Sequence, residues 1–280
     1  MSNITYGAIP SKADLRDYQI KPEAMSVDEF SLDNLPAVKN QFIVGSCVAH
    51  ALSSILEWFN QKETGETREL STGFIYGMQG IEFARTEPGM HVRDACKIAQ
   101  RYGDCLYSSF PYNIEMPECY KLLDKKHNGA MLHEARTSKI KSYARCTTKE
   151  SIKHALVNYG PVLASIEWYD KYDLADGEII KFDMSSESGY HAVMVYGFSR
   201  DGWLCQNSWG RIWGNGGRFV LPFNYDFVEA WSFVDENNGD VYRPKRGKLI
   251  DFAYKIANHI INIAHVGVDW LRKRIRLTDD

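Results

Sequence analysis

The sequence has few cysteines and prolines for its 280 residues, and it has no long uninterrupted apolar run. Six cysteines are too few for a disulfide-rich secreted domain, and they form neither a CxxC pair nor a Cys/His cluster with zinc spacing. The first residues include neither a basic start nor an apolar segment, so no secretory signal is expected. A net charge of −3 gives no electrostatic reason to expect nucleic-acid binding. We therefore expect a cytoplasmic protein without metal or cofactor.

The composition is that of an ordinary globular protein, with 44% hydrophobic and 25% charged residues. A chain of this length can bury one large core or two smaller ones. Most cysteines are expected to be free thiols. A single bridge, such as Cys105 with Cys119, stays open as an alternative, because pairing cannot be deduced from sequence.

One cysteine stands at a position that favours reactivity. Cys47 follows Gly-Ser, and the residues after it recur at helical spacing, so Ser46 is a candidate N-cap and Cys47 lies in the first helical turn. The helix dipole there favours an anion, which predicts an acidic thiol and a nucleophilic thiolate. Gln41 supplies an upstream side-chain amide of the kind that an oxyanion hole uses. A lone buried cysteine would more often be plain core, so partners are needed.

Two downstream motifs provide the partners. His191 opens an apolar, β-branched run that predicts a buried strand, and Asn207 begins the sequence Asn-Ser-Trp-Gly. Trp209 could cover a bond between His191 and Asn207, or it could be ordinary core. In this order the three motifs resemble the papain and cathepsin family, whose His and Asn follow the Cys by about 130–150 residues. His191 falls within that window, and Asn207 falls slightly beyond it.

The resemblance covers roughly residues 10 to 235 and is closest in style to bacterial and viral members. It implies an α+β, papain-like fold of two lobes, a helical N-terminal lobe and an antiparallel β-barrel-like C-terminal lobe, with the active site in the cleft between them. The expected domains are an N-terminal arm (1–34), a helical lobe carrying Cys47 (35–140), a β lobe carrying His191 and Asn207 (141–240), and a C-terminal amphipathic helical tail (241–280).

Two family features are missing from the catalytic stretch. Val48 replaces the usual aromatic after the cysteine, and Val44 replaces a cysteine, so the corresponding disulfide should be absent. For the arm, we favour an extended segment packed on the body over one that covers the cleft.

By resemblance, Cys47, His191, Asn207 and Gln41 form the catalytic set of a cysteine-type endopeptidase that works through a thioester acyl-enzyme. The resemblance also implies that the backbone of Gly89 pairs with an extended peptide. The other residues expected near bound substrate are Met90, His91, Ser165, Tyr190 and Trp209. The substrate would be a peptide or protein. An amidase or acyltransferase on the same apparatus, and a non-catalytic interaction module, are the alternatives, and the intact catalytic set speaks against the module.

The tail carries a separate pattern. Residues 245–276 show an apolar helical stripe with basic residues at both ends, interrupted too often by polar residues for a transmembrane span. We expect this helix to dock on the protein itself or on a second copy. The alternative, a more specific function, is that the helix contacts another partner or an anionic membrane surface.

Overall fold

The helices and strands of the chain are seen in a computed structural model that describes residues 6–85, 87–111, 128–170, 172, 180, 188–234 and 241–242. The helices in these ranges are α1 (Cys47–Thr64), α2 (Thr72–Phe83), α3 (Val92–Arg101), α4 (Gly129–Ala135) and α5 (Lys149–Asn158). A 3₁₀ turn, Arg136–Ser138, follows α4. No helix among the described residues is both long and apolar enough to cross a bilayer.

The helix ends follow local chemistry. Helix α1 stops before Gly65, whose φ of 75° suits glycine and whose N–H bonds to the Gln61 carbonyl. Ser71 caps α2 by accepting from the Phe74 N–H. For α5 the sequence predicts a capping box from Thr147 to Glu150, but the observed box joins Thr148 and Ser151. The box forms one residue later because the Ser151 hydroxyl can return the hydrogen bond to the N-cap as a Glu would.

Eleven strands are described. They are β1 (Ala8–Ile9), β2 (Gln19–Ile20), β3 (Phe30–Ser31), β4 (Met90–His91), β5 (Ser142–Cys146), β6 (Val162–Tyr169), β7 (Ser188–Phe198), β8 (Trp203–Gln206), β9 (Arg218–Leu221), β10 (Glu229–Val234) and β11 (Val241–Tyr242). Nine of them form one sheet in the order β11-β2-β5-β10-β6-β7-β8-β9, and β3 pairs with β7. The remaining two, β1 and β4, pair in parallel. Helices followed by a mainly antiparallel sheet confirm the α+β expectation.

The sheet is covered on both faces, and this positions the site. Along β7, Ala192 and Met194 face a core shared with α1, whereas Val193 and Val195 face a second core that includes α5. Because side chains alternate along a strand, His191 lies on the same face as Val193 and Val195, and its ring packs on tryptophans of the second core. Helix α1 packs across β6 and β7. Its first residue, Cys47, therefore lies beside β7.

The N-terminal segment is part of this architecture. Strand β2 lies between β5 and β11 in the large sheet, β3 pairs with β7, and β1 pairs with β4 just before α3. The sequence predicts an extended arm over residues 1–34 but does not predict these strands, because strands of two residues show no periodic pattern. The predicted tail helix over residues 245–276 lies outside the described residues.

Candidate active site

Cys47 begins α1, with Ser46 at the N-cap position as predicted. The Ser46 side chain does not cap the helix. Its hydroxyl lies 3.2 Å from Nδ1 of His50, and that nitrogen is 3.0 Å from the Ser46 carbonyl oxygen. The backbone N–H groups of Cys47 and Val48, in the first turn, lie close enough to the thiol to work toward a lower pKa of Cys47.

The thiol of Cys47 is completely buried. Its Sγ accepts a hydrogen bond from the Ala192 N–H at 3.4 Å. Burial raises the pKa of the Cys47 thiol to about 11, although backbone hydrogen bonds from Ala192 and Gly7 work to lower it. The prediction of a lowered thiol pKa is therefore wrong for this buried cysteine. The loss of water around the thiolate outweighs the helix dipole and the amide donors.

His191 is held by the oxygen of Asn207. His191 Nε2 lies 2.7 Å from Asn207 Oδ1, and the Ser208 backbone N–H donates to the same oxygen at 2.7 Å. Since a backbone N–H can only donate, the acceptor atom of Asn207 is fixed, and the imidazole must carry its proton on Nε2. In the neutral ring, Nδ1 is then the free base.

Nδ1 of His191 is buried and has no hydrogen-bond partner among the described residues. Burial lowers the pKa of His191 to about 4, while the hydrogen bond to Asn207 raises it. Both members of the pair are thus neutral near pH 7 in the covered site. The backbone N–H of Ala192, the residue after His191, donates to the thiol, so the Cys47 sulfur lies beside β7 next to His191.

Two aromatic rings pack on the imidazole, and a third packs on those two rings. Trp209 lies 4.9 Å and Trp168 lies 5.0 Å from the His191 ring, and Trp213 lies against both tryptophans. Trp209 was expected here. Trp168 was missed, although it ends the predicted strand beginning at Val162 and pairs with Gly189, two residues before His191. Its position at the end of an apolar strand was the available signal.

Gln41 is fixed by contacts at both ends of its amide. The Ser208 hydroxyl donates to Gln41 Oε1 at 2.6 Å, and Gln41 Nε2 donates to the Val44 carbonyl at 2.9 Å. The Gln41 backbone N–H also bonds to the Ser208 carbonyl. Ser208 therefore links the loop before Cys47 to the residue that holds His191.

The residues predicted to bind substrate fall into two groups. Gly89, with a φ of 95°, directly precedes the buried Met90 and the partly buried His91 of β4. Ser165 and Tyr190 belong to β6 and β7. Ser165 pairs with Ala192, and its buried hydroxyl has no partner among the described residues, while Tyr190 is 42% exposed.

The N-terminal arm runs between these groups. The Gly7 carbonyl accepts from the Met90 N–H at 2.7 Å, and Ala8 and Ile9 pair with β4. The Tyr6 ring packs so closely on Gly189 that a Cβ there would overlap it. The arm is thus packed on the body through β2 and β3, as preferred from the sequence, and its residues 6–9 also lie against β4 and Gly189. The signal that the sequence offered was Gly7 itself, a residue that can approach another backbone closely.

Among the described residues, the other cysteines form no disulfide. Cys47, Cys96, Cys105, Cys146 and Cys205 are free thiols, so the bridge considered at Cys105 is not formed. Within the described ranges, no three His, Cys, Asp or Glu side chains are grouped closely enough to hold a metal ion.

Comparison with known proteins gives a consistent result. Residues 22–228 match the family described as "Papain family cysteine protease". The uncharacterized peptidase C1-like protein L477 of Acanthamoeba polyphaga mimivirus is 25% identical over 266 residues, which cover 79% of this chain and 82% of the relative. Mouse cathepsin K is 25% identical over 216 residues, covering 71% of this chain and 60% of cathepsin K. The chain thus spans less than two thirds of cathepsin K.

Solved structures show the same fold. Xylellain, a cysteine protease from Xylella fastidiosa, superposes with a TM-score of 0.73 at 24% identity, covering 84% of this chain and 98% of xylellain. A Carica candamarcensis cysteine protease in complex with E-64 superposes with a TM-score of 0.55 at 18% identity, covering 72% of this chain and 94% of that protein. The papain-like fold expected from the motifs is confirmed.

Proposed function

Because the chain belongs to the papain family of cysteine proteases, we propose that it hydrolyses peptide bonds with Cys47 as nucleophile and His191 as base and acid. The observation that carries the proposal is the contact set of His191. Asn207 Oδ1 accepts from the protonated Nε2 of His191 at 2.7 Å, which leaves Nδ1 of His191 as the base. The backbone N–H of the next residue, Ala192, donates to the Cys47 sulfur.

In the first half-reaction, His191 Nδ1 takes the thiol proton and Sγ attacks the scissile carbonyl carbon. The carbonyl oxygen becomes an oxyanion, which would be stabilised by the Gln41 amide and by the Cys47 backbone N–H. When the tetrahedral intermediate collapses, the C–N bond breaks and the leaving amine takes the proton from His191. A thioester between Cys47 and the acyl group remains.

In the second half-reaction, His191 removes a proton from water, which attacks the thioester carbonyl. Collapse of this intermediate breaks the C–S bond, releases the carboxylic acid and returns the proton to the thiol. Asn207 would orient the imidazole throughout, and Trp209 and Trp168, which pack on the ring, would keep water from the His191–Asn207 bond. Gly89, Met90, His91, Ser165 and Tyr190 would line the substrate cleft.

Cleavage of internal peptide bonds is supported by the path of the arm. An extended segment from Tyr6 to Ser11 lies along the cleft and past Met90, which indicates that the cleft accepts a continuous chain. The proposed compartment is the reducing cytoplasm, which agrees with five free thiols among the described residues. Transfer of the acyl group to an amine instead of water is the competing outcome, and a product assay distinguishes the two.

The test is digestion of a peptide library by the purified full chain, with products identified by mass spectrometry. Cys47→Ala and His191→Ala should abolish cleavage, and Asn207→Ala should lower it but leave it measurable, because only orientation is lost. Cys146→Ala, another buried cysteine, is the matched control and should keep activity. Cleavage that survives Cys47→Ala, or products that carry an added amine, would show the proposal to be wrong.

A further inference from the structure

The two proposed oxyanion donors lie on different parts of the chain. The Cys47 backbone N–H belongs to helix α1, whereas the Gln41 amide belongs to residues 40–46, which are called the oxyanion loop below. We propose that His50 is a positioning residue that ties the oxyanion loop to helix α1, so that the Gln41 amide stays where the oxyanion forms. This inference rests on the proposed function, since it concerns the same reaction.

The tip of the oxyanion loop has little packing to hold it. The side chains of Phe42 and Ile43 are 52% and 60% exposed. Phe42 also has a φ of 53°, a left-handed conformation that is strained for an aromatic residue. The Val44 N–H donates to the Gln41 carbonyl at 3.2 Å, which closes the loop on itself without tying it to a helix or strand. The position of Gln41 therefore depends on polar contacts with its surroundings.

His50 contacts both ends of the oxyanion loop. It lies three residues after Cys47 on α1 and is buried. Its Nδ1 lies 3.2 Å from the Ser46 hydroxyl oxygen and 3.0 Å from the Ser46 carbonyl oxygen. The ring also hydrogen-bonds to the backbone carbonyl of Asn40. A neutral imidazole has one N–H, so with Nδ1 accepting from the Ser46 hydroxyl, the other ring nitrogen, Nε2, is the donor to Asn40.

The contact with Asn40 acts directly on Gln41. The Asn40 carbonyl and the Gln41 N–H belong to one planar peptide unit. The His50 ring binds the oxygen of this unit, and the Ser208 carbonyl accepts from its N–H at 2.8 Å. Because both polar atoms of the peptide unit are held, the point from which the Gln41 side chain starts is fixed relative to the helix that carries Cys47.

The hydrogen bonds of His50 matter more here than its volume. The ring lines a cavity of about 540 Å³ together with Asn40, Phe42 and Glu57, so it does not complete a close-packed core on that side. Burial lowers the pKa of His50 to about 3, so the ring is neutral near pH 7 and acts by hydrogen bonding and not by charge. A phenylalanine would occupy similar space but could not donate to Asn40.

The experiment compares His50→Phe, His50→Asn and His50→Gln in the full chain, on a peptide that the library identifies. Phenylalanine has no donor and asparagine is too short to reach Asn40, so both should lower kcat by about tenfold with KM unchanged. That is part of the roughly 10²- to 10³-fold that loss of a whole oxyanion donor costs. Glutamine places an amide N–H near the position of Nε2 and should restore most of the rate. His154→Phe, a matched change at another buried helical histidine, should keep the wild-type kcat.

A double-mutant cycle separates positioning of Gln41 from a general effect on folding. Gln41→Ala removes the amide that His50 positions, so adding His50→Phe to Gln41→Ala should lower kcat by no more than about twofold further. If His50→Phe does not fold, His50→Asn takes its place in the cycle. Two losses that multiply in full would overturn the inference, because His50 would then act independently of Gln41.

Two further measurements do not depend on hydrolysis. Alkylation of Cys47 by iodoacetamide forms no oxyanion, so His50→Phe should alkylate at the wild-type rate, whereas a distorted site would not. Hydrogen exchange, read by mass spectrometry on peptides that cover residues 40–46, should be faster in His50→Phe and His50→Asn than in wild type and His50→Gln.

Unchanged exchange in folded His50→Phe and His50→Asn would show that His50 does not hold the oxyanion loop. Faster exchange in these variants, with no hydrolysis of any peptide by wild type, would support the role of His50 in holding the loop and refute the peptidase proposal.

Discussion

The burial of His191 makes the stability of the protein depend on pH. Burial lowers the pKa of this imidazole to about 4 in the folded state, against an ordinary value of 6.5. Between these two pH values the unfolded chain binds more protons than the folded one, so the free energy of unfolding must fall as pH falls from 6.5 toward 4. At pH 4.5, the difference between the folded and unfolded pKa values of this one residue lowers the free energy of unfolding by about 2.5 kcal/mol.

Urea unfolding at pH 7.5 and pH 4.5 measures the loss, and His191→Gln isolates it, because glutamine does not titrate. The buried His50, whose pKa is lowered to about 3, contributes in the same direction and remains in both proteins. Carboxylates with a raised pKa, such as Glu229, act in the opposite direction and also cancel in the comparison. Wild type should therefore lose about 2.5 kcal/mol more than His191→Gln over this interval. Equal losses would show that the imidazole keeps an ordinary pKa and that the site is not sealed from water.

Two further predictions concern Gln41 and the tail. Ser208→Ala removes the hydroxyl that holds Gln41 Oε1, so kcat should fall by about fivefold with KM little changed, the effect of one hydrogen bond of ~1 kcal/mol. Ser232→Ala is its control, since that buried hydroxyl has no partner among the described residues, and equal kcat values in both variants would contradict the role of Ser208. Removal of residues 243–280 should leave a soluble protein with the same rate on a short peptide, because the described strands end at Tyr242. Size-exclusion chromatography and flotation with anionic liposomes would then show whether the tail serves self-association or membrane binding, and an insoluble product would show it to be part of the core.

Much of the fold was predictable because its signals are local. The period of the apolar residues after Cys47 predicted α1, and the β-branched runs at Val162 and His191 predicted β6 and β7 to within two residues. The catalytic set could be proposed because its members sit in three short, separate motifs. Each motif could be recognised without knowledge of the others, and their order on the chain linked them.

The state of the site was not predictable, because it depends on contacts between distant segments. The Tyr6 ring packs on Gly189 and the Gly7 carbonyl accepts from the Met90 N–H, and such contacts leave no period or motif in either segment. The direction of the thiol pKa was wrong for the same reason. The helix dipole at Cys47 can be inferred locally, whereas the burial that outweighs it depends on how distant segments pack around the thiol.

The strands of the N-terminal arm also limit the order in which parts of the protein can fold during synthesis. Strand β2 pairs with β5 and β11, and β3 pairs with β7, so residues 19–31 leave the ribosome long before their partners exist. Until the chain has been synthesised as far as Phe198, β3 has no strand to join, and contacts so distant in sequence are slow to form. Folding of this protein should therefore finish only after release of most of the chain, with the N-terminal strands exposed meanwhile to other unpaired edges.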